Sequence, residues 1–327
     1  MGTSGGNPLH GIRVLDGGLA TELEFLGADL SGPLWSARVL ERQPELVASV
    51  HRAYLDAGAQ CIATASYQVS RVGYAELSLP PERADTALLR AVEISVRVRN
   101  AYVDSGASGQ RALVAASLGP FGAALHNGAE YHGNYDCSFD DLVRFHHERI
   151  AVLAANAAGS KDKGAAAQAD LLAFETIPSL TEAQAILTSL AQCPNLPAWI
   201  SFTCCDGERV AHGERLRDCA TALAASPQIV GIGVNCLAPR HVSSLIRAMR
   251  AGCELPILVY PNSGEAWDAT ARRWTGTTEP HDFGAFAAEW YQAGAQIVGG
   301  CCRTRPEHIR QIATAAQLDL DAGAIKP

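Results

Sequence analysis

The sequence has no excess of basic residues and no long apolar run. Lys and Arg total 26 against 34 Asp and Glu, which gives a formal net charge of −8 in 327 residues. Nucleic acids and anionic membranes are bound by clustered Lys and Arg, so neither is expected as a partner. No apolar stretch reaches the roughly 18 residues of a membrane span, and the opening MGTSGGNPLHG does not resemble an export signal. We therefore expect a cytoplasmic protein that acts on small molecules.

The sequence also lacks the CxxC pairs of structural zinc sites, although it contains 10 cysteines. In a chain without an export signal, we expect reduced thiols or metal ligands rather than disulfides. A single cysteine can equally be a small apolar core residue, and the adjacent pair Cys204–Cys205 is interpreted in this way. No compelling Ser-His-Asp or Cys-His set is present, and His146–His147 are interpreted as surface or packing residues.

A complete phosphate-binding loop is missing as well. The nearest sequence, Gly231–Cys236, reads GIGVNC, which lacks the third glycine and an acidic residue at the expected distance. This absence excludes a dinucleotide-binding site and argues against an open doubly wound sheet, the main alternative for a chain of alternating strands and helices.

Eight short apolar runs are present, and each is followed by a helical pattern. This alternation predicts βα units around a parallel sheet, and eight units predict a single (β/α)₈ TIM barrel, an α/β fold, over residues 1–327. Helices are predicted at Pro44–Ala57 and at Ser179–Leu190, which opens with a capping-box pattern. The Gly159–Ala169 region is interpreted as a surface insertion without a chemical role. The predicted strands are Ile12–Leu15, Gln60–Ala65, Ala112–Leu118, Leu171–Phe174, Ala198–Thr203, Val230–Val234, Ile257–Tyr260 and Gln296–Gly299.

Polar and thiol residues follow several of these strands, where barrel enzymes place their catalytic groups. Cys236 follows the sixth predicted strand, and Cys301 and Cys302 follow the eighth. Only one strand separates these two in a closed barrel, so the three thiols can converge. The other unusual strand ends are Asp16-Gly17-Gly18, Ser66-Tyr67-Gln68 and Glu175-Thr176.

Three thiolates would leave a zinc ion one open coordination position, which is the arrangement of catalytic zinc sites. Zinc suits this set of ligands, although their softness would also allow Cu(I). The spacing alone leaves another interpretation open, in which Cys236 packs a strand end and Cys301–Cys302 is a vicinal redox pair in front of a helix.

Seven segments resemble the homocysteine S-methyltransferase family, and the resemblance runs from about residue 10 to residue 312. It is strongest to the branch that uses S-methylmethionine in bacteria and plants. Betaine–homocysteine methyltransferase and the homocysteine module of cobalamin-dependent methionine synthase are more distantly similar. The segments are Leu15–Glu24, Leu34–Ala37, Thr64–Gln68, Phe174–Thr176, Gly233–Cys236, Val259–Glu265 and Gly299–Thr304.

The resemblance implies a TIM barrel that transfers a methyl group from S-methylmethionine or S-adenosylmethionine to homocysteine, forming methionine. It also implies that Cys236, Cys301 and Cys302 hold Zn²⁺, which activates the homocysteine thiol. In the family pattern, Asp16 and Glu175 hold the amino group of homocysteine. Helix capping and surface ion pairing remain the alternative roles of these two carboxylates.

Further substrate contacts follow from the same resemblance. The backbone of Gly17 and Gly18 is expected close to homocysteine. Trp35 and Tyr67 are expected on the donor side, where an aromatic face can bind a sulfonium by a cation–π contact, although both could simply pack at the barrel mouth. Asn235 is expected to order the metal site through hydrogen bonds, or else to satisfy the local backbone.

Other functions remain open at this point. The methyl donor could be betaine or a corrinoid partner, and the acceptor could be selenocysteine or selenohomocysteine. A non-enzymatic role as a zinc-binding thiol sensor is disfavoured by the acidic and aromatic residues expected on the same face. The oligomeric state is not indicated by the sequence.

Overall fold

The computed structural model describes residues 6–30, 35–106, 112–159, 167–268, 273–275 and 282–324. Its main sheet has seven parallel strands in the spatial order β1-β2-β3-β4-β5-β6-β9. A short antiparallel hairpin, β7 with β8, lies outside this sheet. The strands are β1 Cys61–Ala63, β2 Leu113–Leu118, β3 Leu171–Ile177, β4 Ala198–Phe202, β5 Ile229–Asn235, β6 Ile257–Tyr260, β7 Ala266–Asp268, β8 Arg273–Thr275 and β9 Ile297–Val298.

The segment predicted as the first strand, Ile12–Leu15, joins the two edges of this sheet. Val14 forms a parallel bridge with Val298 in β9, and Leu15 forms one with Cys61 in β1. The backbone N–H of Leu15 donates to the Val298 carbonyl at 2.9 Å. These bridges close the sheet into a ring, so the predicted (β/α)₈ barrel is confirmed, and all eight predicted strand positions take part in it.

Helices separate the strands along the chain. Two predicted helices are present with nearly the predicted bounds: one begins at Pro44, and the other is capped by Ser179, whose hydroxyl accepts from the Glu182 N–H at 3.1 Å. The helices are α1 Leu19–Phe25, α2 Trp35–Arg42, α3 Pro44–Asp56, α4 Arg71–Ala75, α5 Pro81–Asp104, α6 Phe121–Ala124, α7 Phe139–Gly159, α8 Leu180–Leu190, α9 Leu216–Ala224, α10 Val242–Arg250, α11 Phe283–Ala293 and α12 Pro306–Ala324, with 3₁₀ turns at Ala129–Tyr131 and Pro239–His241.

Within the described ranges, two apolar clusters form the core. The larger one lies between the sheet and the helices, and the smaller one fills the barrel interior with side chains such as Leu9, Leu171, Trp199 and Leu258. Side chains alternate between these clusters because successive residues of a strand point to opposite faces. With the interior filled, the mouth of the barrel is free to form a site.

The insertion predicted at Gly159–Ala169 is described only in part, because residues 160–166 lie outside the described residues. Where the description resumes, Ala167 and Ala169 pack against the core, and the Asn156 amide donates to the Ala167 carbonyl at 2.8 Å. This contact lies on the amino-terminal side of β3, away from the barrel mouth. None of the helices in the described ranges has the length and apolar character that crossing a membrane requires.

Candidate active site

A pocket with a cavity of about 160 Å³ opens at the carboxyl ends of the barrel strands. Among the described residues that line it are three carboxylates, Asp16, Glu130 and Glu175, and no lysine, arginine or histidine. Its electrostatic character is therefore that of a site for cations. Cys236, Cys301 and Cys302 also line this pocket.

The three cysteines predicted to converge do so. The sulfur of Cys236 lies 3.7 Å from that of Cys302, which lies 4.0 Å from that of Cys301, and all three sulfurs are within 4.8 Å of one another. A tetrahedral zinc ion with Zn–S bonds of about 2.3 Å requires sulfurs about 3.8 Å apart. The thiol cluster therefore matches, in spacing and in chemistry, the set of ligands that zinc prefers.

The backbone around the thiol cluster is held by its neighbours. The N–H of Cys301 donates to the Pro261 carbonyl at 2.8 Å, and the N–H of Cys236 donates to the Tyr260 carbonyl at 3.3 Å. Cys236 has a φ of +55°, a left-handed conformation that is uncommon outside glycine. Such backbone strain is found at functional sites and persists only where surrounding contacts hold it.

The thiols share hydrogen bonds that distinguish Cys236 from its neighbours. Contacts from Cys301 and Cys302 hold the pKa of Cys236 well below its usual range, while the pKa values of Cys301 and Cys302 are raised. The Tyr131 hydroxyl also lies 3.4 Å from the Cys236 sulfur. The hydrogen bonds of the cluster therefore favour the ionised form of Cys236 over those of Cys301 and Cys302.

Asn235 connects the thiol cluster to the end of β3. Its side-chain oxygen accepts from the Thr176 N–H at 2.8 Å, and its amide donates to the Thr176 hydroxyl at 2.8 Å. The same amide lies 3.9 Å from the Cys301 sulfur. Thr176 has a φ of +61°, which is strained for a β-branched residue, and these two hydrogen bonds hold it there.

Asp16 and Glu175 lie close together in the depth of the pocket. Asp16 accepts a 2.8 Å hydrogen bond from the Ala63 N–H, and Glu175 accepts from the hydroxyls of Ser117 and Tyr260. Burial raises the pKa of Glu175 to about 7. Burial, and to a smaller degree the charge of Glu175, raises the pKa of Asp16 well above its usual value. A positively charged group between these carboxylates would relieve both effects.

Gly17 and Gly18 place the backbone against the cysteine loop. A Cβ on Gly18 would lie 2.5 Å from the Cys301 carbonyl oxygen, and one on Gly17 would lie 2.8 Å from the Tyr54 ring. The Gly18 N–H donates to the Thr304 carbonyl at 3.2 Å. Glycine at these positions therefore lets the end of the first strand approach the end of the last one. We call the part of the pocket formed by Asp16, Glu175, Asn235 and the three cysteines the strand-end side.

Another part of the pocket wall, which we call the loop side, is formed by Glu130 and Tyr131 in the segment 119–138 after β2. Tyr67 lines the pocket beside them, and the charge of Glu130 contributes to raising the pKa of Tyr67, after burial. Burial also raises the pKa of Glu130 to about 7. Trp35, expected with Tyr67 on the donor side, begins α2, but its side chain lies outside the described residues.

A buried carboxylate fixes the segment 119–138 from behind. Glu182 in α8 accepts from the Phe121 N–H at 2.6 Å and from the Tyr135 hydroxyl at 2.9 Å, one on each side of the 3₁₀ turn that carries Glu130. His146 lies 3.0 Å from Glu182, and Arg149 donates to its other ring nitrogen at 2.9 Å, so His146 donates its Nε2 proton to Glu182. His146 is thus a packing residue, as interpreted from the sequence.

Sequence reasoning missed several residues of this pocket. Ser117 and Tyr260 lie at the carboxyl ends of predicted strands, so the strand-end rule could have found them. Glu130 and Tyr131 lie in the interior of a loop, where no periodic pattern indicates burial. Glu182 stood in a predicted capping box, but its carboxylate binds Phe121 and Tyr135 instead.

The fold and the pocket define a (β/α)₈ barrel enzyme with a cysteine cluster suited to a metal ion at its active end. Comparison with known proteins gives the family. The sequence model of homocysteine S-methyltransferase matches residues 13–316, and the chain belongs to this family.

Individual relatives cover nearly the whole chain. Homocysteine S-methyltransferase YbgG of Bacillus subtilis is 41% identical over 309 residues, which are 94% of this chain and 95% of the relative. Homocysteine S-methyltransferase 1 of Arabidopsis thaliana is 42% identical over 312 residues, covering 92% of each chain. The crystal structure of the homocysteine methyltransferase MmuM of Escherichia coli in its metallated form superposes with a TM-score of 0.82 at 37% identity, covering 94% of this chain and 99% of that one.

Proposed function

We propose that this protein transfers a methyl group from a small sulfonium compound, preferably S-methylmethionine, to the sulfur of homocysteine, forming methionine. The observation that carries the proposal is one pocket containing three clustered cysteine sulfurs and the carboxylates of Asp16 and Glu175. An aminothiol such as homocysteine could place its sulfur at the cysteine cluster and its ammonium group at the carboxylates. Relatives named homocysteine S-methyltransferases support this acceptor.

Cys236, Cys301 and Cys302 would hold a zinc ion in this proposal. The sulfur spacing supports it, and so does the metallated form of the Escherichia coli relative. When bound, zinc supplies a Lewis acid that lowers the pKa of the homocysteine thiol, so that its thiolate is available at neutral pH. Asn235 orients this group of ligands through Thr176 and Cys301.

Asp16 and Glu175 would bind the ammonium group of homocysteine. Asp16 is buried and Glu175 is half-buried, and no cationic side chain lines the described pocket to neutralise them. The hydrogen bonds from Ala63, Ser117 and Tyr260 fix the direction of each carboxylate. With the ammonium bound on this side, the substrate thiol is directed towards the thiol cluster.

Transfer then requires little acid–base chemistry from the protein. The homocysteine sulfur forms a bond to the donor methyl as the methyl–sulfonium bond breaks. The electron pair of that bond goes to the donor sulfur, which leaves as a neutral thioether, while the thiol proton has already passed to solvent. The residues of the pocket contribute by aligning acceptor sulfur, methyl carbon and leaving sulfur, which is the proximity effect.

Methionine formation from homocysteine tests this function directly. The rate should be measured with S-methylmethionine, S-adenosylmethionine and betaine, alongside zinc content, before chelation, after chelation and after zinc is restored. We expect zinc-dependent turnover that is fastest with S-methylmethionine. Faster turnover with betaine would overturn the proposed donor, and zinc-loaded protein inactive with every donor would favour a corrinoid partner or a thiol sensor.

A further inference from the structure

The three carboxylates of the pocket are not equivalent. Asp16 and Glu175 influence each other electrostatically on the strand-end side, where the ammonium group of homocysteine is proposed to bind. The Glu130 carboxylate instead interacts with Cys236 and influences the pKa values of Tyr67 and Tyr131. Glu130 therefore lies near the thiol cluster and near Tyr67 and Tyr131. The proposed binding of homocysteine gives this carboxylate no role.

Glu130 is also the carboxylate whose hydrogen bonding is incomplete. Its Oε2 atom is buried and has no hydrogen-bond partner among the described residues, whereas Asp16 and Glu175 each accept from neighbouring donors. A buried polar atom without a partner is costly, and a ligand that supplied the missing partner would remove this cost. A partner for a carboxylate in this place must be a cation or a hydrogen-bond donor.

The position of Glu130 is built by the fold around it. The 3₁₀ turn Ala129–Tyr131 follows Gly128, which has a φ of +84°. It packs against Gly122 so closely that a Cβ there would lie 2.5 Å from the Glu130 backbone nitrogen. Because Glu182 fastens the segment on both sides of the turn, Glu130 is presented by a fixed turn rather than by a loose loop.

We propose that the Glu130 carboxylate binds the positive charge of the methyl donor, beside the ring of Tyr67. This inference rests on the proposed function and assigns the donor half of the same pocket. A carboxylate and an aromatic face together suit a sulfonium, whose charge is spread over its carbon substituents. An ammonium group on the donor would suit the same carboxylate, so the shared chemistry is a cationic donor.

The assignment has a kinetic consequence. The sulfonium loses its charge during transfer, so attraction to Glu130 stabilises the bound donor at least as much as the transition state. Removing the carboxylate should therefore raise the KM for the donor without lowering kcat. A change that merely disturbed the loop would not be limited to the donor in this way.

Glu130→Gln tests the proposal, because it removes the charge and keeps the shape. With zinc-loaded protein, we expect the donor KM to rise roughly 10- to 100-fold, as for loss of a charged contact, while zinc content, homocysteine KM and kcat are retained. Glu208→Gln is the matched control: Glu208 is an exposed carboxylate in the loop after β4, and its donor KM should not change. An unchanged donor KM in Glu130→Gln would overturn the assignment.

Comparing two donors shows whether Glu130 binds the sulfonium or the ammonium group of the donor. S-methylmethionine carries a sulfonium and an ammonium group, whereas S-methylated 3-(methylthio)propionate carries only the sulfonium. A KM increase with both donors in Glu130→Gln places the sulfonium at Glu130, and an increase with S-methylmethionine alone places the ammonium there. Either result supports a cationic donor at this residue.

Equilibrium binding keeps this inference separate from the proposed reaction. Calorimetry with S-methylmethionine and the zinc-loaded protein, without homocysteine, should show roughly 10- to 100-fold weaker binding to Glu130→Gln than to the unaltered chain. Absence of turnover in the unaltered chain would refute the proposed function alone. Equal binding by the two proteins, or no binding by either, would refute the role of Glu130.

Discussion

The two sides of the pocket are held in different ways. On the strand-end side, the functional groups lie at or just after the carboxyl ends of barrel strands, and Asp16 accepts a hydrogen bond from Ala63 in the neighbouring strand. On the loop side, Glu130 and Tyr131 lie in a segment fastened from behind by Glu182. The strand-end side is therefore held by the hydrogen bonds of the sheet, whereas the loop side is held by the contacts of Glu182.

This difference fits the two tasks that we propose. The strand-end side would bind homocysteine and a metal ion, whose ligands need fixed distances. The loop side would bind the methyl donor, and loops of a barrel can change without disturbing the sheet. Changes on the two sides should consequently have separable effects on the two substrates, and the following predictions test that separation.

The largest effect is expected from Cys301→Ala on the strand-end side. Three thiols are already the smallest set that leaves one open position, so two would not retain zinc firmly. We expect loss of most bound zinc, measured by metal analysis, and a fall in methionine formation of more than about 100-fold, since changes outside the ligands alone cost about 10- to 100-fold. Cys205→Ala, an exposed cysteine, is the control, and retained activity in Cys301→Ala would refute the metal mechanism.

Glu175→Ala should affect only the acceptor. The variant removes one of the two carboxylates proposed to hold the ammonium group, and we expect the homocysteine KM to rise roughly 100-fold while zinc content stays unchanged. The donor KM should also stay unchanged, which is the opposite of the pattern expected for Glu130→Gln. An unaltered homocysteine KM would show that Glu175 does not bind the acceptor, and a raised donor KM would show that the two sides are not independent.

The residues of the strand-end side could be predicted from the sequence because their positions follow from the order of the strands. Eight apolar runs predict a barrel, and placing Cys236 and Cys301 at strand ends one strand apart predicts that they converge. The bridges of Val14 and Leu15 that close the ring lie where the sequence places the first strand. The regular alternation of apolar runs and helical patterns thus predicts both the fold and the positions of the residues at its strand ends.

The residues of the loop side could not be predicted, because the conformation of a loop depends on contacts with residues distant in sequence. Nothing near Glu130 indicates that its carboxylate is buried, since the 3₁₀ turn depends on Gly122 and on the anchoring by Glu182. The Ser-Leu-Thr-Glu pattern correctly predicted a cap by Ser179. It could not show that Glu182 turns its carboxylate away towards Phe121 and Tyr135, because those partners come from another part of the chain.

The pH dependence of homocysteine binding should follow the strand-end side. Burial raises the pKa of Glu175 to about 7 in the free protein, and only the ionised carboxylate attracts an ammonium group. Below pH 7 the ionised fraction falls, so the homocysteine KM should rise by roughly tenfold per pH unit for one titrating group.

Among the described residues, Ser117, Tyr260, Asp16 and Cys236 face Glu175. Asp16 has a raised pKa as well and can steepen the dependence. KM values for homocysteine between pH 6 and pH 8 test the prediction, with Glu175→Gln as the variant in which binding is weak throughout and the contribution of Glu175 is lost. A homocysteine KM that is flat over this range in the unaltered chain would contradict it.

The smallest effect is expected from Tyr135→Phe, which loosens the loop side without touching the pocket charges. The variant deletes the 2.9 Å hydrogen bond to Glu182 and leaves one buried carboxylate oxygen without that donor. We expect the free energy of unfolding to fall by about 1 to 2 kcal/mol. Because the turn carrying Glu130 loses one of its anchors, the donor KM should rise a few-fold, with the homocysteine KM unchanged.

Tyr291→Phe separates positioning from stability in this experiment. Its hydroxyl donates a 2.8 Å hydrogen bond to the Arg13 carbonyl, in the first strand segment Ile12–Leu15, and neither residue lines the pocket. It should lose a similar free energy of unfolding, measured by denaturant titration, without any change in the donor KM. If both variants raise the donor KM equally, the loop side responds to global stability, and Glu182 does not position Glu130 through Tyr135.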